Sequence, residues 1–368
     1  MMSSHLARTA VAAALLILVG AVEIVSAQTR DSLQKLSEDL RAKSGAPAVF
    51  LAYGEVGKSP LIAAAGKRSS DADIPVTIKD HVHLGSCTKA ITAVLIARLV
   101  DQGVLRWDDS LASQAPELSE RLPQSHRAVD LEQLLQHRAG FPPNARDWWL
   151  TRGRNVSEYR SEILVDSLKN LPLESAGKVE TYSNLGYMAA GLIAEYRTGE
   201  SWEELLQREV FRPLALESAG FGPPALHGSL EQPWGHSLEQ GKLKSSQQDN
   251  AAALGPAGTV HLSMADWFRF CELFAGGGPA DFLQAGTVKK LIKPELNQEY
   301  AYGWGVRKRD WAKGEILLHA GSNLTWYSKA CVVPKLGRIY LCVFNRGGDD
   351  MDQWAEQAFA QMIRISNR

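Results

Sequence analysis

Strand-like patterns lie at the two ends of this chain and helical patterns fill its middle. That segregation constrains the fold more than any other feature. "APAVFLAYGEVG" (46–57) and "PLIAAAGKRS" (60–69) read as two strands joined by a glycine-containing turn, and "YGWGVRKR", "EILLHAGS", "SKACVVP" and "RIYLCVFN" add strands between 302 and 345. Neither group can bury its apolar faces alone. Together they form one antiparallel sheet flanked by terminal helices, one with leucines at 33, 36 and 40 ending at Gly45, the other over roughly 350–366. Between Ser86 and about Ala253 the pattern is helical or irregular, with helices expected over 87–102, 130–137, 157–169, 184–198 and 202–209. The expected fold class is α/β in the α+β sense: a sheet lobe from about 28–85 and 265–368, and a mostly helical lobe from about 86–264.

The first 27 residues, "MMSSHLARTAVAAALLILVGAVEIVSA", read as a secretory signal peptide: a short basic head, an apolar run from Ala10 to Val22, and Val25-Ser26-Ala27 before the cut. A membrane-spanning helix needs about 20 apolar residues, more than this run supplies, and no cysteine near Ala27 suggests a lipid anchor. The expectation is an exported protein, periplasmic or extracellular, with no membrane span after cleavage. Residues 28–368 then form one large domain or two intimate ones. The net charge is −1, and cleavage leaves it unchanged because Arg8 and Glu23 depart together. With no basic run, nucleic acid is excluded as a partner, and a small-molecule or peptide substrate is expected.

An exported chain meets an oxidising compartment. Cys331 and Cys342 flank a hairpin-like "VVPKLGRIYL"; they face each other and could form a disulfide if the turn has two residues, are offset if it has three, and the alternative is two buried thiols. Cys87 is expected to pack into a helix.

"HLGSCTKAITAVLIARLV" (83–100) puts Ser86 and Lys89 three residues apart, on one helical face, ahead of an apolar run that reads as buried. A helix start stabilises negative charge, and both the dipole and desolvation push a lysine towards neutrality. Alone, this spacing is a weak sign of chemistry. "GKVETYSNLGYMAAGLIAEY" adds Tyr182 and Asn184, and "EILLHAGSNLTW" adds His319, Ala320 and Gly321 at the end of an apolar strand. Serine–x–x–lysine, tyrosine–x–asparagine and histidine–x–glycine, in that order, resemble the penicillin-recognising serine hydrolases, which include class C β-lactamases, DD-peptidases, D-aminopeptidases and esterases. "LEQLLQHRAGF", "GPAGTVHLSMADWFRF" and "YGWGV" look like the same family, so the resemblance covers nearly all of residues 28–368.

The resemblance implies a β-lactamase/transpeptidase-like fold and a serine hydrolase that needs no cofactor or metal. Ser86 would be the nucleophile. Lys89 and Tyr182 would move the protons, with Tyr182 as general base through a lowered pKa. Asn184 would orient the substrate amide and Lys89, be only a helix cap, or serve both roles. Ser183 would be a spacer. Gly321 would let substrate lie along the strand edge. The backbone N–H groups of Ser86 and Ser322 would form the oxyanion hole. His319 would take part in substrate binding.

The chain also departs from the family pattern. His319 stands where many β-lactamases carry lysine, and a histidine is largely neutral at pH 7, which points away from an efficient β-lactamase and towards a carboxylesterase or a D-amino-acid or DD-peptidase. Ala320 lacks the hydroxyl of the frequent threonine. Trp326 and Tyr327 would stand near the cleft rim or pack against the helical lobe. The deacylating glutamate of class A β-lactamases has no counterpart. The alternatives are a β-lactamase proper, or a wall-fragment or β-lactam-binding protein that does not turn over. His81 and His83 lack a third ligand at metal spacing, and "NVS" at 155 and "NLT" at 323 read as chance glycosylation matches. The loop 141–157, with Trp148 and Trp149, would serve the site or cap the helical lobe.

Overall fold

A computed structural model describes residues 28–108, 110–145, 155–169, 180–295 and 298–367. The leader segment, Trp148 and Trp149 lie outside the described residues.

The two strand groups do combine. β1 (Ala48–Glu55), β2 (Leu61–Ser69) and β3 (Ala72–Pro75) join β9 (Gly305–Arg309), β10 (Gly314–Ser322), β11 (Tyr327–Val333) and β12 (Arg338–Phe344) in a seven-stranded sheet ordered β3-β2-β1-β12-β11-β10-β9. Every described pairing in it is antiparallel. The central strands are apolar at nearly every position because both faces are covered. Ala48, Phe50 and Ala52 of β1 face the helical lobe, while Val49, Leu51 and Tyr53 face the terminal helices. Those are α1 (28–44) and α12 (Met351–Ser366).

Between them run α2 (Thr88–Asp101), the short α3 (Leu111–Gln114), α4 (Pro116–Glu120) and α5 (Leu131–Leu135), then α6 (Val156–Leu168), α7 (Asn184–Thr198) and α8 (Trp202–Leu206). The single-turn α9 (Gly255–Gly258), α10 (Met264–Glu272) and α11 (Ala285–Leu291) follow. α2 is the hub of this lobe: from Thr88 to Ala97 every residue is buried. The lobe is less purely helical than expected. It carries a three-stranded sheet, β4 (His81–His83), β8 (Val260–Ser263) and β5 (Gly220–Phe221), and a hairpin of β6 (Gly235–Glu239) with β7 (Lys242–Ser246).

β11 and β12 are joined by a four-residue turn, so Cys331 pairs with Tyr340 and Cys342 with Lys329. The two thiols share one face but sit diagonally, and both are free and buried. Among the described residues no helix is long and apolar enough to cross a membrane, and no His/Cys/Asp/Glu cluster suits a metal ion.

Candidate active site

Two elements meet edge-on to build the site. After β4 the chain turns through Gly85 at φ +50° into a 3-10 turn, Gly85–Cys87, which runs directly into α2. Within the otherwise buried run from Val82 to Ala97, Ser86 alone is partly exposed. The end of β10 lies against this turn. The period of two along β10 aims Leu317, His319 and Gly321 at the helical-lobe face. A Cβ on Gly321 would come within 2.0 Å of the Leu84 carbonyl oxygen and 2.7 Å of Ser86 N. The glycine is therefore required first by the Ser86 turn, which occupies the space expected to hold substrate. Leu84 O is held on the same side by the Ser328 hydroxyl, 2.6 Å away.

Lys89 is fully buried, yet its Nζ has three partners: Ser86 Oγ at 3.1 Å, Asn184 Oδ1 at 2.6 Å and the Ala257 carbonyl at 2.8 Å. Thr92 Oγ1 bonds Pro256 O and Thr88 Oγ1 accepts from Val260 N, so α2 grips the α9 turn that presents Ala257. Burial lowers the Lys89 pKa well below its ordinary value. A neutral amine satisfies this arrangement: two N–H bonds go to Asn184 Oδ1 and Ala257 O, and the lone pair faces the Ser86 hydroxyl.

Tyr182 stands over the lysine, with Nζ 4.8 Å from its ring centroid. The residue is 42% exposed, but its hydroxyl is desolvated against Ser86. Desolvation raises the phenol pKa, and the Ser86 hydrogen bond offsets only part of the rise. The expectation of a lowered tyrosine pKa is thus corrected: the depressed pKa belongs to the lysine, and the phenol keeps its proton.

Of the next motif residues, Ser183 is more than the expected spacer, while Asn184 meets Lys89 as expected. Ser183 is the N-cap of α7, its Oγ accepting from Gly186 N and donating to Pro142 O. Asn184 is thereby freed from capping. Its Oδ1 receives Lys89 and its Nδ2 donates to Asn144 Oδ1 at 2.7 Å.

His319 is buried and Nδ1 faces the Gly303 carbonyl. Desolvation, the nearby Lys89 and, in opposition, the Gly303 bond bring its pKa to about 4, so it offers no cation at neutral pH. Ser322 is exposed, and its backbone nitrogen adjoins Gly85. Trp326 is buried against β6, and the Tyr327 hydroxyl points the other way, to Asp352 on α12. Neither stands at the rim. Leu324 is the exposed residue there, at 82% with φ +73°. Asn323 is buried and hydrogen-bonded, which closes "NLT" to a glycan; Asn155 caps α6.

Two residues near the site carried no role in the sequence reading. His137, in the quoted "LEQLLQHRAGF", adopts φ +58° and accepts from Ser183 N at 3.1 Å through Nδ1. Its ring packs 4.5 Å from Tyr182 and 4.4 Å from Tyr300. A histidine three residues before the glycine of that stretch was the available signal. Asn144 lies in the loop noted for its prolines, but nothing in a lone asparagine marks its partner.

The model of the family described as Beta-lactamase matches residues 33–361. Penicillin-binding protein 4 of Amycolatopsis lactamdurans is 26% identical over 331 residues, 85% of this chain and 84% of that protein. Protein flp of Staphylococcus aureus is 24% identical over 346 residues, 91% of this chain and 67% of the relative. The fold is similar to a class C beta lactamase from Rhodobacter sphaeroides, with a TM-score of 0.75 at 19% identity over 92% of this chain and 100% of the other. It is equally similar to the D-amino acid amidase of Ochrobactrum anthropi SV3, with a TM-score of 0.75 at 19% identity over 92% and 99% of the two chains. The matched span holds the serine, lysine, tyrosine and asparagine just described, and the chain belongs to the beta-lactamase family, within the penicillin-recognising serine hydrolases.

Proposed function

We propose that this protein is an exported serine hydrolase that forms an acyl-enzyme on Ser86 from ester or amide substrates, of carboxylesterase or D-amino-acid or DD-peptidase type. The observation that carries this reading is the buried Lys89 amine, 3.1 Å from Ser86 Oγ and pushed by desolvation towards its neutral form. Lys89 takes the Ser86 proton as Oγ attacks the substrate carbonyl. The carbonyl oxygen gathers charge beside the backbone nitrogens of Ser86 and Ser322. Tyr182, protonated and partly open to the cleft, gives a proton to the leaving group and recovers one from the lysine. Asn184 holds the amine in line. Water then releases the acyl group by the reverse proton path. The neutral His319 favours substrates without a carboxylate at that position, which supports esterase or amidase action over β-lactam turnover. The D-amino acid amidase among the fold relatives is consistent with this.

The test is intact-mass analysis after exposure to a fluorophosphonate, with Ser86→Ala and Lys89→Ala alongside. One adduct on the wild type, lost in both variants, is expected. An unlabelled, well-folded wild type would remove the reading.

A further inference from the structure

A second polar network lies behind the nucleophile, and no catalytic step above uses it. His83, two residues before Gly85, is completely buried, and its Nδ1 accepts from Gly85 N at 3.0 Å. That bond leaves the ring proton on Nε2, which lies 2.9 Å from Asp249 Oδ1, off the line of an ideal hydrogen bond. The same carboxylate oxygen accepts from Asn323 Nδ2 at 2.9 Å and from Asn250 N at 2.7 Å. Asn323 follows Ser322, and its Oδ1 accepts from Thr325 N, Thr325 Oγ1 and Trp326 N, which fixes the turn after β10. Asn250 Nδ2 donates to Gly258 O at 2.7 Å, next to the Ala257 carbonyl that receives Lys89.

The Asp249 carboxylate thus lies between the turn carrying Ser86, through His83, and the strand end carrying Ser322, through Asn323, while its chain neighbour Asn250 reaches the α9 turn under Lys89. Its other oxygen, Oδ2, is buried with no hydrogen-bond partner. A buried carboxylate with one idle oxygen is an expensive way to hold a fold together, and well-packed apolar residues commonly do that at lower cost. Its three attachments all converge on one serine.

We infer that His83, Asp249 and Asn323 are positioning residues that set the spacing between the Ser86 and Ser322 backbone N–H groups, and so align the oxyanion hole. They touch no substrate. They act through Gly85 on one side and through the Asn323 turn on the other. The inference rests on the Ser86 acyl-enzyme reading.

The test compares kcat/KM for p-nitrophenyl acetate with that for its thiono counterpart, in which C=S replaces C=O. Sulfur is a larger and weaker hydrogen-bond acceptor, so the oxo/thiono ratio reports donor alignment, whereas a merely structural role moves both substrates together. In Asp249→Ala, kcat for the oxoester should fall with little change in KM, and the oxo/thiono ratio should fall about tenfold or more. The conservative Asp249→Asn should fall between it and wild type. If Asp249→Ala does not fold, the ratio in Asp249→Asn decides alone. A ratio equal to wild type in a folded variant overturns the inference and leaves the hydrolase reading standing. A wild type that neither turns over the oxoester nor takes a fluorophosphonate overturns both.

Discussion

A Cβ on Gly85 would lie 2.4 Å from the backbone nitrogen of Ser322. The turn that carries Ser86 and the strand that faces it meet main chain to main chain. Gly85→Ala must push β10 away and hold alanine at φ +50°. The backbone alone costs about 1–2 kcal/mol. Displacing one oxyanion donor should cut kcat about 100-fold, with KM changing much less. Steady-state kinetics on p-nitrophenyl acetate, beside a urea melt, check both parts.

Lys89→Met fills the same buried space but removes the proposed base. Turnover should fall by about 10²–10⁴, and fluorophosphonate labelling of Ser86 should slow in parallel. Asn184 Oδ1 and Ala257 O both lose their buried donor, at a cost of about 1–3 kcal/mol each. A variant that kept wild-type labelling rates would assign the proton transfer elsewhere.

Acid should weaken the fold through its buried histidines. His319 titrates at about 4 in the folded protein, against ~6.5 in the unfolded chain. Below pH 6.5 the unfolded chain takes up a proton that the folded one refuses, so stability is complete above 6.5 and is lost as the pH falls towards 4. The full difference amounts to roughly 3 kcal/mol. His319→Gln should remove that share of the fall in unfolding free energy between pH 7 and pH 4, measured by urea denaturation. His261, also brought to about 4 by burial, keeps its own share in that variant.

The four cysteines should behave as buried thiols even under oxidising conditions. A thiol reagent should titrate none of them in the folded protein and all of them in denaturant. Added dithiothreitol should leave the melting temperature unchanged. A drop on reduction would place Cys331 and Cys342 in register, contrary to the four-residue turn between their strands.

The fold was readable where the pattern was long. β1, β10, β11 and β12 announce themselves by continuous apolar runs, and α2 by burial on every side. The short strands of the helical lobe did not. Gly220–Phe221 and His81–His83 have no period of their own and are strands only because β8 pairs with both. The positions of Ser86, Lys89, Tyr182, Asn184 and His319 followed from motif order. The lowered lysine pKa followed from the apolar run around it, but the tyrosine's did not, because desolvation of its hydroxyl raises the phenol pKa. Ser183 looked like a spacer because a cap is identified by the amide it receives. Asp249 sits in "SSQQDNAAALG", where nothing local distinguishes it, and its partners lie 166 residues before it and 74 after it.

At the centre of the large sheet, Val49 pairs with Phe344 and Glu55 with Arg338. Contacts of such long sequence separation close slowly, and on the ribosome they wait for the last strand to emerge. The turn bearing Ser86 and the helix bearing Lys89 are made long before the strand proposed to complete the oxyanion hole. On the proposed mechanism a nascent chain carries the serine without the means to use it, and the onset of hydrolysis would mark the end of folding.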